Sequence, residues 1–164
     1  EEYLNIIKNL VAVRPEIKFS SDFIVGYPGE TEKDFEDTLS LINNVKFVNS
    51  FSFIYNQRPG TPAFKLNPLK KEIQHNRLTI LQNLLNNIQN NYNKNQIGKN
   101  KKVLIENKMK NQEKYFGRTD SFTPVVTENI DFKDIGKIIN VRIKDCNKNT
   151  LFGVKENIDK EVAA

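Results

Sequence analysis

Phe19-Ser-Ser-Asp-Phe-Ile-Val-Gly-Tyr-Pro-Gly-Glu-Thr-Glu-Lys-Asp34 reads as a strand, a tight turn and the first turn of a helix. Phe23-Ile24-Val25 is a short continuous apolar run of the kind buried on both faces of a parallel sheet. Gly26 to Glu30 breaks it. Thr31 then offers a cap hydroxyl, Asp34 stands three positions later, and acidic charge lies where the helix dipole favours it. Phe35, Leu39, Ile42 and Val45 mark the buried stripe of that helix. Upstream, Tyr3, Ile6, Ile7, Leu10 and Val13 recur at helical spacing until Arg14-Pro15 ends the pattern. Downstream, Phe47 to Tyr55 predicts a second strand, closed by Arg58-Pro59-Gly60-Thr61-Pro62. The order helix, strand, helix, strand implies parallel strands joined by right-handed crossovers, and two strands cannot close such a sheet alone. Residues 1–68 therefore read as the end of an α/β barrel.

The pattern changes further along. Lys70 to Gln96 predicts a long helix whose stripe runs through Leu78, Leu81, Leu85, Ile88 and Tyr92. Ile97-Gly98 ends it, so 69–98 read as a connecting helix packed on the barrel. From Lys101 the period shortens, and Val103 to Ile105, Phe122 to Thr127, Ile138 to Ile143 and Leu151 to Val154 are strand candidates between polar turns. Residues 99–156 form an all-β unit of small-barrel size, with 157–164 a loose tail.

Composition narrows the chemistry. The chain has 164 residues and 19.0 kDa, enough for one ordinary domain or two small ones. It opens on Glu1 inside a helical pattern, which reads as a piece of something longer. One cysteine, Cys146, excludes a disulfide framework and any zinc finger or iron–sulfur cluster held by this chain alone. Low cysteine and the absence of an apolar run of about 18 residues or of a signal pattern read as a cytoplasmic protein without a membrane partner. Cys146 reads as a structural or surface thiol and His75 as solvent-facing. The net charge of +5 is uneven: residues 1–68 carry seven Lys/Arg against nine Asp/Glu, and 99–164 carry fourteen against ten. Lys99, Lys101, Lys102, Lys108, Lys110, Lys114 and Arg118 face only Glu106 and Glu113 within their stretch. Such a run can neutralise phosphates, or be an ordinary solvated surface.

In parallel α/β folds the loops leaving strand C-termini carry the chemistry. That singles out Gly26 to Glu30 and Asn56 to Thr61. Glycines let backbone approach a ligand, and NH groups at the next helix start can meet an anion; a ligand-free turn gives the same spacing.

The blocks Asp22-Phe-Ile-Val-Gly-Tyr-Pro-Gly-Glu-Thr31, Asp34-Phe-Glu-Asp-Thr38, Phe51-Ser-Phe-Ile-Tyr55 and Arg58-Pro-Gly-Thr-Pro-Ala63, in this order, resemble the radical-SAM methylthiotransferases. The Arg-Pro-Gly-Thr-Pro turn most resembles the tRNA branch, the MiaB-type enzymes, which add a methylthio group to isopentenyl-adenosine beside the anticodon. The β unit, with Gly117-Arg118-Thr119-Asp120, is similar to the TRAM domain, an OB-like RNA-binding barrel. The resemblance implies an α/β fold: the C-terminal part of a radical-SAM, TIM-like barrel, followed by TRAM. It implies S-adenosylmethionine and two 4Fe-4S clusters in the complete enzyme, none ligated here, because no position matches a cluster cysteine. The chain alone would then be inactive, needing the N-terminal cluster-bearing part as a partner.

By the same resemblance, the strand ending at Gly26 passes the cofactor's adenine within a loose Gly-x-Ile-x-Gly-x-x-Glu pattern. Ile24 and Gly26 fit it, Asp22 replaces the first glycine, and Glu30 falls one residue late. Ile24, Gly26, Gly29, Glu30, Tyr55 and Asn56 are the cofactor-wall candidates. Arg58 either borders the substrate or locks its own turn by pairing with a carboxylate. For the anticodon stem-loop of tRNA, Lys101, Lys102, Lys114 and Arg118 are the contact candidates. Tyr115, Phe116 and Phe122 offer stacking faces, although strand alternation favours a core position for Phe116 and Phe122. Two readings follow: the C-terminal part of a tRNA methylthiotransferase, or a noncatalytic RNA-binding fragment of a split or decaying gene.

Overall fold

The computed structural model describes residues 2–156 as two compact units, one ending at Gln89 and the other beginning at Asn90. The expected 157–164 tail lies outside the described residues.

The first unit contains α1 (Glu2–Val13), β1 (Asp22–Val25), α2 (Glu32–Val45), β2 (Phe51–Ile54) and most of α3 (Lys71–Lys94). Helix α2 begins as its sequence dictates. Thr31 caps the Asp34 N–H while the Asp34 carboxylate accepts from the Thr31 N–H, which satisfies two otherwise orphaned donors. It stops where Lys46 turns left-handed at φ 56° and donates back to the Ile42 carbonyl. Strands β1 and β2 pair in parallel, Asp22 opposite Phe51 through Val25 opposite Ile54. Phe23 and Val25 face a core of Phe35, Ile42, Phe47, Leu81 and Leu85, where the Phe23 and Phe47 rings meet edge-on at 5.3 Å.

Both strands are shorter than the sequence suggests: β1 begins at Asp22 and not at Phe19, and Phe47 and Val48 are buried in the bend before β2 rather than in it. The Phe23-Ile24-Val25 run is not buried on both faces: Ile24 is 61% exposed. Helices cover one face only, and Ile24, Phe51 and Phe53 lie together on the other, open face. Helix α1 has no buried residue, and its apolar stripe, with Ile6, Leu10 and Val13, is exposed. The described part of this unit is thus a two-stranded parallel sheet with helices, and no α/β barrel is formed within it.

The second unit holds the end of α3 and five strands: β3 (Asn100–Lys108), β4 (Tyr115–Thr119), β5 (Pro124–Glu128), β6 (Ile138–Cys146) and β7 (Leu151–Lys155). They close in the order β3-β4-β5-β7-β6, antiparallel throughout except for the parallel β5–β7 pair. This is the five-stranded barrel arrangement of OB-like folds. Period-2 alternation sends Val103, Ile105, Tyr115, Val125, Val141, Ile143 and Leu151 inward. Asp134, in the connection between β5 and β6, is buried and accepts from Lys155 Nζ at 2.6 Å. That hydrogen bond holds its carboxyl below the usual carboxylate range.

Strand β4 was not among the sequence candidates, and β5 begins at Pro124, two residues later than expected. The aromatic residues also sort differently. Tyr115 is 5% exposed and belongs to the core. Phe116 is on the outer face of β4, and Phe122, in the β4–β5 turn, is 76% exposed. Neither is a core residue: the inward positions of β4 fall on Tyr115, Gly117 and Thr119, and Phe122 lies outside both strands in the turn between them.

Candidate functional site

In the first unit the loop after β1 is built around Gly26, at φ 77°. Its N–H donates to Glu30 Oε2 at 2.9 Å, and its carbonyl accepts from Gln74 Nε2 at 3.2 Å. A Cβ at Gly26 would lie 2.7 Å from Gln74 Cγ. Glu30 is gripped from the other side by Arg77, whose Nη1 meets Oε1 at 2.5 Å and the Glu30 carbonyl at 3.1 Å. Arg77 also reaches Glu32 at 3.0 Å and lies 5.3 Å above the Phe35 ring. Gly26 and Glu30 are therefore joined directly and held by two side chains of α3. Gly29, at φ 90°, has open space where a side chain would stand.

Gln74 and Arg77 are not among the residues the sequence singles out. Their signal was present: residues 74, 77, 78 and 81 share one helical face, so Gln74 and Arg77 interrupt the apolar stripe that buries Leu81. A polar residue on a buried face has a partner to satisfy, and here that partner is the Gly26–Glu30 loop.

The remaining first-unit candidates sit at the end of β2. Tyr55 donates its N–H to the Val25 carbonyl at 2.8 Å, and its ring meets Tyr27 edge-on at 4.9 Å. Asn56 and Arg58 are exposed. The Arg58 turn is held by its carbonyl, which accepts from the Thr61 hydroxyl at 2.8 Å and amide at 3.3 Å. Among the described residues no carboxylate pairs with the Arg58 guanidinium, so the turn is not locked by such a pair. Tyr55 and Asn56 follow directly on β2, and Ile24 lies within β1 on its open face beside Phe51 and Phe53.

In the second unit the four basic candidates divide. Arg118 bonds Glu106 across β3–β4 at 2.5 and 2.6 Å and lies 5.1 Å over the Phe116 ring. Lys114 pairs with Glu128 across β4–β5 at 2.9 Å, and Lys108 pairs with Glu113 at 2.8 Å. Such exposed pairs stabilise by about 0–1 kcal/mol each, and they cancel net charge. Of the seven cations in the basic stretch, Lys99, Lys101, Lys102 and Lys110 have no carboxylate partner among the described residues. Lys101 and Lys102 are neighbours on β3 and so point to opposite faces, with Lys102 exposed and Lys101 half-buried. The four candidates do not form one patch.

Cys146 is half-buried against the barrel core. His75 is exposed, its Nδ1 2.7 Å from the Lys71 carbonyl. Among the described residues no three His, Cys, Asp or Glu side chains converge as a metal site, and no helix is long and apolar enough to cross a membrane.

Comparison with known proteins gives these sites their context. Residues 94–155 match the TRAM domain. The chain is 46% identical over 164 residues to a tRNA-2-methylthio-N(6)-dimethylallyladenosine synthase of Pelagibacter ubique, covering 99% of this chain and 36% of that protein. It is 44% identical over 155 residues to the synthase of the same name from Wolbachia pipientis of Culex pipiens, covering 93% and 35%. The match to the Vesicomyosocius okutanii synthase is 42% over 157 residues, covering 93% and 34%. The chain spans about a third of the length of these relatives and corresponds to their C-terminal region.

Proposed function

We propose that this chain, a counterpart of the C-terminal region of the tRNA-2-methylthio-N(6)-dimethylallyladenosine synthases, serves as the RNA-docking and cofactor-wall portion of a cytoplasmic tRNA methylthiotransferase. The observation that carries the reading is likeness over 99% of the chain, joined to a TRAM match that falls on the closed barrel. Residues 1–68 are the last strands and helices of a radical-SAM barrel, 69–98 a helix packed on it, and 99–156 the RNA-binding unit. The open face of Ile24, Phe51 and Phe53 supports the first assignment, because a sheet buried on both faces needs further helices or strands to cover it.

In the complete enzyme, S-adenosylmethionine and two 4Fe-4S clusters supply the radical and sulfur chemistry. This chain's own residues orient and exclude water. Ile24, Tyr55 and Asn56 line the nucleoside, with Arg58 on the substrate side. Gly26, Gly29 and Glu30 shape the adjoining turn, and Arg77 and Gln74 keep it rigid. Without a cluster-bearing N-terminal part the chain is inactive.

On the RNA side, Lys101 and Lys102 supply net attraction, while Lys114 and Arg118 supply donors already oriented by Glu128 and Glu106. Binding to an anticodon stem-loop across a salt series tests this. The chain should bind with a steep slope of log K against log salt. Lys114→Ala with Arg118→Ala should weaken binding severalfold yet reduce the slope by less than about one, since each cation leaves a carboxylate behind. No salt-dependent binding at low ionic strength would reject the docking role.

A further inference from the structure

Phe122 is the most exposed aromatic residue of the barrel unit, at 76%, and it stands in an unusual conformation. Its φ is 57°, a region that bulky L-residues seldom occupy and that Gly or Asn fills readily. The turn holds it there: the Phe122 N–H donates to the Thr119 carbonyl at 3.0 Å, and the Thr119 N–H donates to the Thr123 carbonyl at 3.1 Å. A three-residue hairpin loop with a left-handed last position is a glycine site. An aromatic ring there, turned to solvent, contributes nothing to the barrel core.

The register shows what surrounds it. Val103 pairs with Thr119, and one step further along the antiparallel ladder Lys102 comes opposite Asp120. Lys101 and Lys102 thus lie beside the Phe122 turn. On β6, Arg142 is paired with Asn100 and Val141 with Lys101, which brings Arg142 to the same end. On the other flank, Val125 pairs with Leu151 in parallel, which sets the β6–β7 turn, with Lys148, next to the β4–β5 turn. Lys101, Lys102, Arg142 and Lys148 have no carboxylate partner among the described residues. The opposite end of the barrel holds the cancelled pairs Lys108–Glu113, Lys114–Glu128 and Lys155–Asp134, with Lys110 unpaired among the described residues and a second exposed ring, Phe132, on the acidic Asp131–Asp134 turn. At the Phe122 end, Lys101, Lys102, Arg142 and Lys148 outnumber the nearby acids Asp120 and Asp145.

We infer that Phe122 is a stacking platform for one unpaired base, and that the β3-start end of the barrel, rather than the Lys114–Arg118 surface, is where RNA is first held. The inference rests on the RNA-docking reading and deepens it. Unpaired cations meet the phosphates of a single strand, and an exposed ring in their midst takes a splayed base, the usual division of labour in single-strand recognition. A fully paired helix keeps its bases stacked and offers the ring nothing.

The test measures affinity of the full chain for a single-stranded RNA oligonucleotide and for a blunt RNA duplex, across a salt series, in four versions: unmodified, Phe122→Asn, Phe122→Tyr, and Lys101→Gln with Lys102→Gln. Phe122→Asn should weaken single-strand binding about tenfold, leave duplex binding and the salt slope unchanged, and leave the thermal midpoint equal or higher, because Asn accepts the left-handed backbone. Phe122→Tyr should retain the affinity. The double lysine variant should lower the slope by about 1.4 on the single strand. Phe122→Asn that binds the single strand as well as the unmodified chain, or that loses both probes equally, would overturn the stacking role while leaving RNA docking intact. An unmodified chain that binds neither RNA overturns both.

Discussion

Arg77→Ala should lower the stability of the first unit by about 3–5 kcal/mol, the cost of removing one partner from a buried ion pair. The Arg77 side chain is 6% exposed and the Glu30 side chain 13%. Without the guanidinium, the Glu30 carboxylate keeps only the Gly26 N–H, and Phe35 loses the cation over its ring. Arg77→Lys should recover little, since one ammonium cannot replace the fork that meets Glu30 and Glu32 together. Urea unfolding followed by far-ultraviolet circular dichroism measures this, with the barrel transition as internal reference. A loss below about 1 kcal/mol, the range of exposed pairs, would mean that the Gly26–Glu30 turn does not depend on Arg77.

Gly117→Ala should be comparably damaging to the barrel. A Cβ at that position would stand 2.2 Å from the Leu104 carbonyl oxygen and 2.8 Å from Val103 Cγ1. The obstruction is backbone, so no side chain can swing away. Strands β3 and β4 must separate where Ile105 faces Gly117 and Leu104 faces Arg118. Overpacking a core by a methyl group costs about 1–3 kcal/mol when side chains can yield, and here the upper end or beyond is expected. Gly136→Ala is the control: its φ of 81° is strained for alanine, but nothing lies within 4 Å, so the cost should stay near the 1–2 kcal/mol of a left-handed residue. Denaturant melts of both variants rank them. Equal losses would show that closing β3 on β4 does not require glycine.

Much of this fold was legible where local chemistry is decisive. Thr31 and Asp34 start α2 because a capping box needs only residues three apart. The parallel pairing of β1 with β2 follows from the helix between them. What the sequence hid was the outcome of long-range partnership. Strand β4 escaped notice because its inward positions are Tyr115, a bare Gly117 and the polar Thr119, which leave no apolar alternation to read. Phe116 and Phe122 invite a core assignment as aromatic residues, yet the hairpin register turns one outward and puts the other in a loop. Ile24 sits in an apolar run that promises burial on both sides, but the described residues cover only one.

The candidate sites were legible as motifs more than as roles. The Gly26–Glu30 turn was visible as a strand-to-helix loop; that Gln74 and Arg77, over forty residues away, hold it required the packing of α3. The basic stretch was visible as composition, but which lysines stay free depends on cross-strand neighbours. Glu128 lies outside the stretch in sequence and still neutralises Lys114.

The most direct test of the central claim is to replace the C-terminal region of the Pelagibacter ubique synthase by this chain and measure 2-methylthio-N(6)-dimethylallyladenosine in tRNA from cells lacking their own synthase. The chimaera should restore the modification, and Phe122→Asn within it should reduce the yield. A chimaera that folds and carries its clusters but leaves tRNA unmodified would contradict the claim and favour a noncatalytic RNA-binding fragment.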